Sequence, residues 1–175
     1  CGPALNESRA TPVGHGGAIL RVRDARPEDL DALERYSPKR SVHSDRIRDA
    51  LGVNCRYLVV AWESDVLGFG LLVFAAPDIA LLPCMIDLRI GPEFRSQGVG
   101  TFLIHGMEEI ARARGSREMY VGVDPEGNER AYSLYLRLGY RPVQSKPYMN
   151  SWRLTSSDGE VHTGRDWHID LRREL

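Results

Sequence analysis

The spacing of apolar and polar residues along the chain predicts a series of short strands and helices. Residues 19–23 alternate between the two kinds of side chain, as a half-buried strand does. Pro27 and the two acidic residues after it are typical of the first turn of a helix. A second amphipathic helix is predicted over 44–51, and the polar, basic loop 36–43 connects the two helices.

The middle of the chain is its most apolar part. Residues 57–62 and 66–74 predict a hairpin that is buried on both faces, and 84–90 predicts a further strand, which a Gly-Pro pair ends. The run 67–86 has the length of a membrane-spanning helix, but two prolines and an aspartate interrupt it. Strands joined by a turn accommodate these residues and a helix does not, so no contact with a membrane is expected.

The second half of the chain predicts two helices and three more strands. A helix is expected over 98–114, a strand over 118–124 and a further helix over 128–138. Two long strands, 140–154 and 161–173, complete the chain. The order β-α-α-β-β-β-α-β-α-β-β predicts an α/β (α+β) fold, in which a mixed sheet of seven strands carries helices on its faces.

Length and composition agree with one globular domain. The chain has 175 residues, of which 42% are hydrophobic and 27% charged, so it can bury a sizeable core. Residues 1–17 have few large apolar side chains, which predicts a flexible N-terminal arm ahead of a single domain over 18–175. The 23 lysines and arginines are balanced by 24 acidic residues, so nucleic acid is not expected as a partner.

Cysteines and histidines show neither a disulfide framework nor metal-ligand spacing. The three cysteines are odd in number and far apart, and no two of the five histidines have the spacing of a metal pair. We therefore expect no metal site. A reducing, cytoplasmic setting is expected for this protein. The cysteines are Cys1, Cys55 and Cys84.

The turn after the strand at 84–90 has the properties of an anion site. The first backbone N–H groups of a helix lack intrahelical acceptors, and the helix dipole adds partial positive charge there. Two glycines let a ligand approach the main chain. A phosphate-binding lysine and a third glycine are absent, which excludes the two standard nucleotide loops. The candidate residues of the turn are Arg95, Ser96, Gln97, Gly98, Val99, Gly100 and Thr101.

A second cluster follows the next strand and, with the turn, carries a family resemblance. Its pattern is Asn128-x-x-Ala131-x-x-Leu134-Tyr135-x-x-Leu138-Gly139-Tyr140. Arg-x-x-Gly-x-Gly at the start of one helix and this pattern on the next resemble the GNAT superfamily of acyl-CoA-dependent N-acetyltransferases. The resemblance extends from about residue 19 to the end of the chain and is sharpest over 88–140.

The resemblance implies a fold and a set of binding residues. It implies a mostly antiparallel sheet that splays between strands 4 and 5, with the turn over 95–101 around the pyrophosphate of coenzyme A. Asn128 corresponds to an asparagine that reaches the pantetheine arm. Tyr135 corresponds to a tyrosine beside the sulfur, and its phenol suits a proton donor to the leaving thiolate. The main chain that would bind pantetheine belongs to Leu88, Arg89 and Ile90.

The general base is not assigned by the sequence. Some members use a glutamate on the strand before the turn, but here the corresponding face carries Cys84, Ile86 and Leu88. Asp87 is expected to point to the other face unless a bulge intervenes. His43 is the one histidine in a region where the family binds its acceptor.

The function implied is direct transfer of an acetyl group from acetyl-CoA to a primary amine. The acceptor is expected to be a small molecule or a peptide, selected by residues 36–43 and by the hairpin over 140–167. The alternative is a catalytically silent CoA-binding sensor or partner domain of the same fold. A third, weaker alternative is a nucleotide-binding protein that uses the same turn. A homodimer is possible by analogy.

Overall fold

A curled mixed sheet forms the centre of the computed structural model, which describes residues 19–175. Within that range the chain forms eight strands and four α-helices. They are β1 (Leu20–Asp24), α1 (Leu30–Tyr36), α2 (Arg40–Asp49), β2 (Cys55–Trp62), β3 (Asp65–Val73), β4 (Cys84–Ile90), α3 (Val99–Ala113), β5 (Glu118–Val123), α4 (Glu129–Arg137), β6 (Arg141–Pro142), β7 (Tyr148–Thr155) and β8 (Val161–Glu174).

The strand order confirms the predicted fold class. The order is β1-β2-β3-β4-β5-β8-β6, and β7 pairs with the outer half of β8. Every pair is antiparallel except β4 and β5, because a helix crossover connects those two. The N-terminal arm predicted over 1–17 lies outside the described residues.

Two predicted boundaries were wrong. The strand expected over 140–154 is divided into β6 and β7, because Pro142 and Pro147 lack the N–H that a continuous ladder needs. The sheet therefore has eight strands instead of seven. Helix α2 begins at Arg40 instead of at 44, so the loop between α1 and α2 is shorter than expected.

The helices cover the two faces of the sheet with separate apolar clusters. The larger cluster packs α3 and α4 against the sheet and includes Leu103, Met107 and Tyr135. The smaller packs α1 against β2 and β3 through Leu33 and Phe69. None of the helices formed by the described residues is long and apolar enough to cross a membrane.

A buried carboxylate connects α3 to the C-terminal part of the sheet. The Glu108 side chain is 1% exposed, and its Oε1 accepts hydrogen bonds from the Tyr140 hydroxyl at 2.9 Å and from Arg173 at 2.8 Å. A buried charge is tolerated only when it is paired and hydrogen-bonded, as here. This contact holds the chain after α4 against α3.

We expect Glu108→Gln to lower the free energy of unfolding by about 2 kcal/mol, because it leaves Arg173 without its buried counter-charge. Chemical denaturation at neutral pH measures the change. Glu126→Gln, in an exposed turn, is the control and should change stability by less than about 0.5 kcal/mol. Equal effects of the two substitutions would contradict this role of Glu108.

Candidate active site

Strands β4 and β5 separate after two residues of pairing. Their ladder contains only Cys84 with Tyr120 and Met85 with Val121, although β4 continues to Ile90. The splay predicted between the fourth and fifth strands is therefore confirmed. Beyond Met85, the edge of β4 toward β5 has backbone N–H and C=O groups that no strand pairs, so they are available to a ligand.

The turn after β4 presents further unpaired N–H groups. Gly98 has a left-handed backbone with φ 84° and forms the N-cap of α3, a conformation that favours glycine. The N–H of Phe102 donates to the Gly98 carbonyl at 2.9 Å, which begins the helix. The N–H groups of Val99, Gly100 and Thr101 precede this bond and have no intrahelical acceptor. The start of α3 therefore has N–H donors without intrahelical acceptors, and the anion-binding role of this turn stays a prediction.

Two guanidinium groups flank this turn. Arg95 donates through Nε to the Ile90 carbonyl at 3.1 Å, and Arg130 of α4 donates to the Ser96 hydroxyl at 2.7 Å. Gln97 instead turns back to the Glu93 carbonyl. Sequence reasoning missed Arg130. A cation in the first turn of a helix is unfavourable because it opposes the helix dipole. This unfavourable position is the signal by which the sequence could have identified Arg130.

The predicted pantetheine and turn residues meet at one place. Leu88 and Ile90 pack in the same cluster as Val99 and Tyr135, whereas Arg89 is exposed on the opposite face. A methyl group at Gly100 would lie 3.5 Å from Ile90 and 3.8 Å from Leu134 of α4. The end of β4, the start of α3 and the middle of α4 are therefore in contact.

Helix α4 supplies the two side chains that sequence analysis selected. Asn128 caps the helix, and its Oδ1 accepts the Ala131 N–H at 3.3 Å, which leaves its amide N–H groups free to donate. Tyr135 is 5% exposed, and its ring contacts the Tyr140 ring edge-on. Burial raises the pKa of Tyr135 to about 12. Its hydroxyl forms no hydrogen bond with any residue of 19–175, so it is a protonated donor without a partner.

A β-bulge changes the face to which Asp87 belongs. Phe69 pairs with Arg89 and Leu71 pairs with Ile86, so β4 has one residue more than β3 at this point. Asp87 takes a positive φ of 51° there. Leu88 consequently lies on the α3 face and Asp87 on the α2 face. The expected face of Cys84, Ile86 and Leu88 was wrong at Leu88, because strict alternation stops at the bulge.

Asp87 is held by two arginines. Its Oδ2 accepts from Arg46 of α2 at 2.8 Å and its Oδ1 from Nε of Arg89 at 3.0 Å. Burial alone raises the pKa of Asp87, but the two guanidinium groups outweigh burial and hold that pKa below its usual value. Both carboxylate oxygens are thus occupied and weakly basic, which makes Asp87 a poor proton acceptor and a good tether for α2.

His43 has a structural role. It is 1% exposed, its Nε2 lies 2.8 Å from the Ser37 carbonyl, and its Nδ1 lies 2.7 Å from the Tyr57 hydroxyl. Burial lowers the pKa of His43, so the ring is neutral and donates to Ser37 while it accepts from Tyr57. The ring therefore fixes the start of α2 and is not open to an acceptor.

The β7–β8 hairpin bends over the α2 face of the sheet. At its tip the Ser157 N–H donates to Asp45 of α2 at 2.7 Å, and Lys39 lies over the Trp152 ring. The pocket between the tip and α2 is lined in part by Arg46, which also binds Asp87 beside the splay. We call the space between α2 and the tip of the β7–β8 hairpin the hairpin groove.

A family match accounts for this combination of splayed strands, glycine turn and α4 tyrosine. A sequence profile of the acetyltransferase (GNAT) family matches residues 21–140. The chain belongs to the GNAT family of acetyltransferases. The match covers the splay, the turn and Tyr135 of this GNAT domain, and β7 and β8 lie beyond it.

Curated relatives of this GNAT chain are also acetyltransferases. An uncharacterised N-acetyltransferase of Methanocaldococcus jannaschii is 37% identical over 68 residues, which are 38% of this chain and only 27% of that protein. The thialysine N-ε-acetyltransferase of Sus scrofa is 26% identical over 157 residues, covering 83% of this chain and 89% of the relative.

Solved structures share the GNAT fold at low sequence identity. Ard1 from Thermoplasma volcanium has a TM-score of 0.65 at 16% identity and covers 89% of this chain and 97% of its own. A GNAT acetyltransferase from Elizabethkingia anophelis, solved with acetyl-CoA bound, has a TM-score of 0.57 at 16% identity. The match covers 89% of this chain and 98% of that structure's chain.

Asp87→Asn should lower the free energy of unfolding by about 1–2 kcal/mol at pH 7, because it removes the charge that binds Arg46 and Arg89. The pKa of Asp87 is lower in the folded protein than in the unfolded chain. Its stabilisation is therefore complete above the ordinary carboxyl pKa of about 4 and is lost as the pH falls through the folded-state value.

Urea denaturation at pH 7, 5 and 3.5 of wild type and Asp87→Asn measures this effect. The difference between the two proteins should decrease toward low pH. Asp78→Asn, at an exposed loop position, should show no such trend. A constant difference between wild type and Asp87→Asn at all three pH values would disprove the assignment.

Proposed function

We propose that this protein transfers the acetyl group of acetyl-CoA directly to a primary amine of a small molecule or a peptide. The observation that carries the proposal is the unpaired edge of β4, which extends from the N-terminus of α3 toward Tyr135 of α4. A ligand suited to this path has an anionic end, an extended arm with amide groups and a reactive end. Acetyl-CoA has all three.

Each part of the path has its own role. The N–H groups over 96–101 and the guanidinium groups of Arg95 and Arg130 hold the pyrophosphate. The main chain of Leu88, Arg89 and Ile90 pairs with pantetheine as a neighbouring strand would, and Asn128 adds its free amide donors. The acetyl-CoA bound to the structural neighbour from Elizabethkingia anophelis supports this choice of ligand.

Tyr135 assists the departure of the thiolate. Its pKa of about 12 keeps it protonated at neutral pH, and its hydroxyl is free to donate. The same pKa makes a free phenolate costly. Tyr135 therefore gives its proton to the sulfur in step with recovery of a proton from the nitrogen of the new amide, and β4 N–H groups stabilise the carbonyl oxygen as negative charge develops.

The amine enters from the α2 side of the sheet, through the hairpin groove. Asp166 and Asp170 of β8 lie beside His168 at the splay, and their negative charges favour an ammonium group there. The thialysine N-ε-acetyltransferase among the relatives acts, by its name, on a side-chain amine, which supports a small cationic acceptor here.

Gly100→Ala should weaken CoA binding at least tenfold and leave the fold intact. The chain itself has room for the methyl group, whose contacts at 3.5 and 3.8 Å are ordinary, and alanine is the better helix former. Calorimetric titration with CoA and thermal unfolding measure the two effects. Gly52→Ala, in the loop after α2, is the matched control. Unchanged CoA affinity in Gly100→Ala would place CoA elsewhere.

Tyr135→Phe should lower kcat at least tenfold and leave the dissociation constant of CoA within about twofold, because the ring still packs and only the proton donor is lost. Release of free thiol from acetyl-CoA is measured with thialysine, lysine, spermidine and an alanine-first peptide. Thiol release by wild type with none of these amines, despite CoA binding, would favour a silent CoA-binding domain.

A further inference from the structure

One histidine lies at the point where β4 and β5 separate. A side chain at Gly122 of β5 would overlap the His168 ring, and its nearest ring atom would be Nε2. Gly122 is one residue beyond Val121, the last residue of β5 that pairs with β4. The ring can occupy this place only because the residue beneath it is glycine. It lies on the α2 face, since Val121 and Val123 point into the α3 cluster.

Two carboxylates orient the ring. Nδ1 of His168 forms a hydrogen bond with Asp166 at 3.4 Å, whereas the contact from Nε2 to Asp170 Oδ1 at 3.3 Å lacks hydrogen-bond geometry. The single proton of a neutral imidazole is therefore assigned to Nδ1, and Nε2 is the basic nitrogen. A proton added at Nε2 would face Asp170, so both carboxylates are satisfied once the ring is an imidazolium.

Two uncharged groups lie near the ring or its carboxylates. The Tyr148 ring contacts His168 edge-on, and its hydroxyl donates to Asp170 Oδ2 at 3.0 Å. Burial, together with that hydrogen bond, raises the pKa of Tyr148 to about 12, and burial raises the pKa of Cys84 to about 12. Among residues 19–175, the carboxylates that form ion-pair contacts with the ring are those of Asp166 and Asp170.

We propose that His168 is the general base that deprotonates the acceptor ammonium, an inference that rests on the proposed function. Imidazole is the side chain whose ordinary titration range is nearest to neutral pH. Asp87, the other candidate beside the splay, has both oxygens bound to arginines. The His168 side chain is 19% exposed and lies on the α2 face of the sheet, so an amine that approaches from that face can reach it.

The reaction begins at the ammonium group of the acceptor. An N–H bond of the ammonium breaks and its proton goes to Nε2 of His168. The nitrogen lone pair then forms the bond to the thioester carbon, and the C–S bond breaks with its electron pair on sulfur. Tyr135 gives a proton to sulfur and recovers one from the new amide nitrogen. The products are an amide and a thiol, and His168 releases its proton to water.

Three variants test the proposal with the acceptor from the amine panel that wild type uses best. His168→Gln should lower kcat/KM about 100-fold and remove the acidic limb of its pH profile between pH 6 and 9. Gly122→Ala should have a similar effect because it displaces the ring. His162→Gln is the matched control, on the same face of β8 and nearer the hairpin tip, and should retain wild-type kinetics.

A second readout separates a chemical role from a structural one. His168→Ala should recover activity when free imidazole is added, and all variants should bind CoA with the affinity of wild type. A loss in His168→Gln that is equal at every pH and is not rescued by imidazole would overturn the proposal, as would kcat/KM within threefold of wild type. If wild type binds CoA but transfers no acetyl group, the proposed function fails and the role of His168 fails with it.

Discussion

The site depends on a pair of strands that stop pairing inside a sheet. Backbone N–H and C=O groups need partners, and a parallel pair that ends after two residues leaves the edge of β4 toward β5 without a neighbouring strand. The bulge at Asp87 helps to hold β4 in this state, because the extra residue bends the strand away from its regular course. A ligand with its own amide groups would restore the missing hydrogen bonds, so the splay itself creates the site at which the cofactor is proposed to bind.

Most of the fold was predictable because its signals are local. The β4 strand and helix α3 were placed to within a residue, since apolar periodicity, Gly98 at the start and a glycine at the end all agree. The broken strand after α4 was predicted as continuous because β-propensity outweighed the two prolines. Helix α2 begins early because the buried His43 anchors its first turn through Ser37, a contact that no pattern of apolar spacing reveals.

The residues of the candidate site could be predicted only where they belong to a motif of the family. The turn over 95–101, Asn128 and Tyr135 were found from motifs, and their binding roles remain predictions. Arg46 and His168 were not found, because their importance comes from partners far away in sequence. His168 matters because the β5–β8 register puts it beside Gly122, 46 positions earlier in the chain. Alternation of side chains also fails to locate a bulge, which is why Asp87 was expected on the wrong face.

Different charged groups flank the splay on the two faces of the sheet. The α3 side has Arg95 and Arg130 around the turn, where a pyrophosphate needs cations. On the α2 side, Asp166 and Asp170 lie beside His168 at the splay, where the proposed ammonium needs anions. The sheet separates the two clusters, and the splay is a gap between them. In the proposed reaction the cofactor and the amine approach from opposite faces, and they meet where a proton must leave the amine.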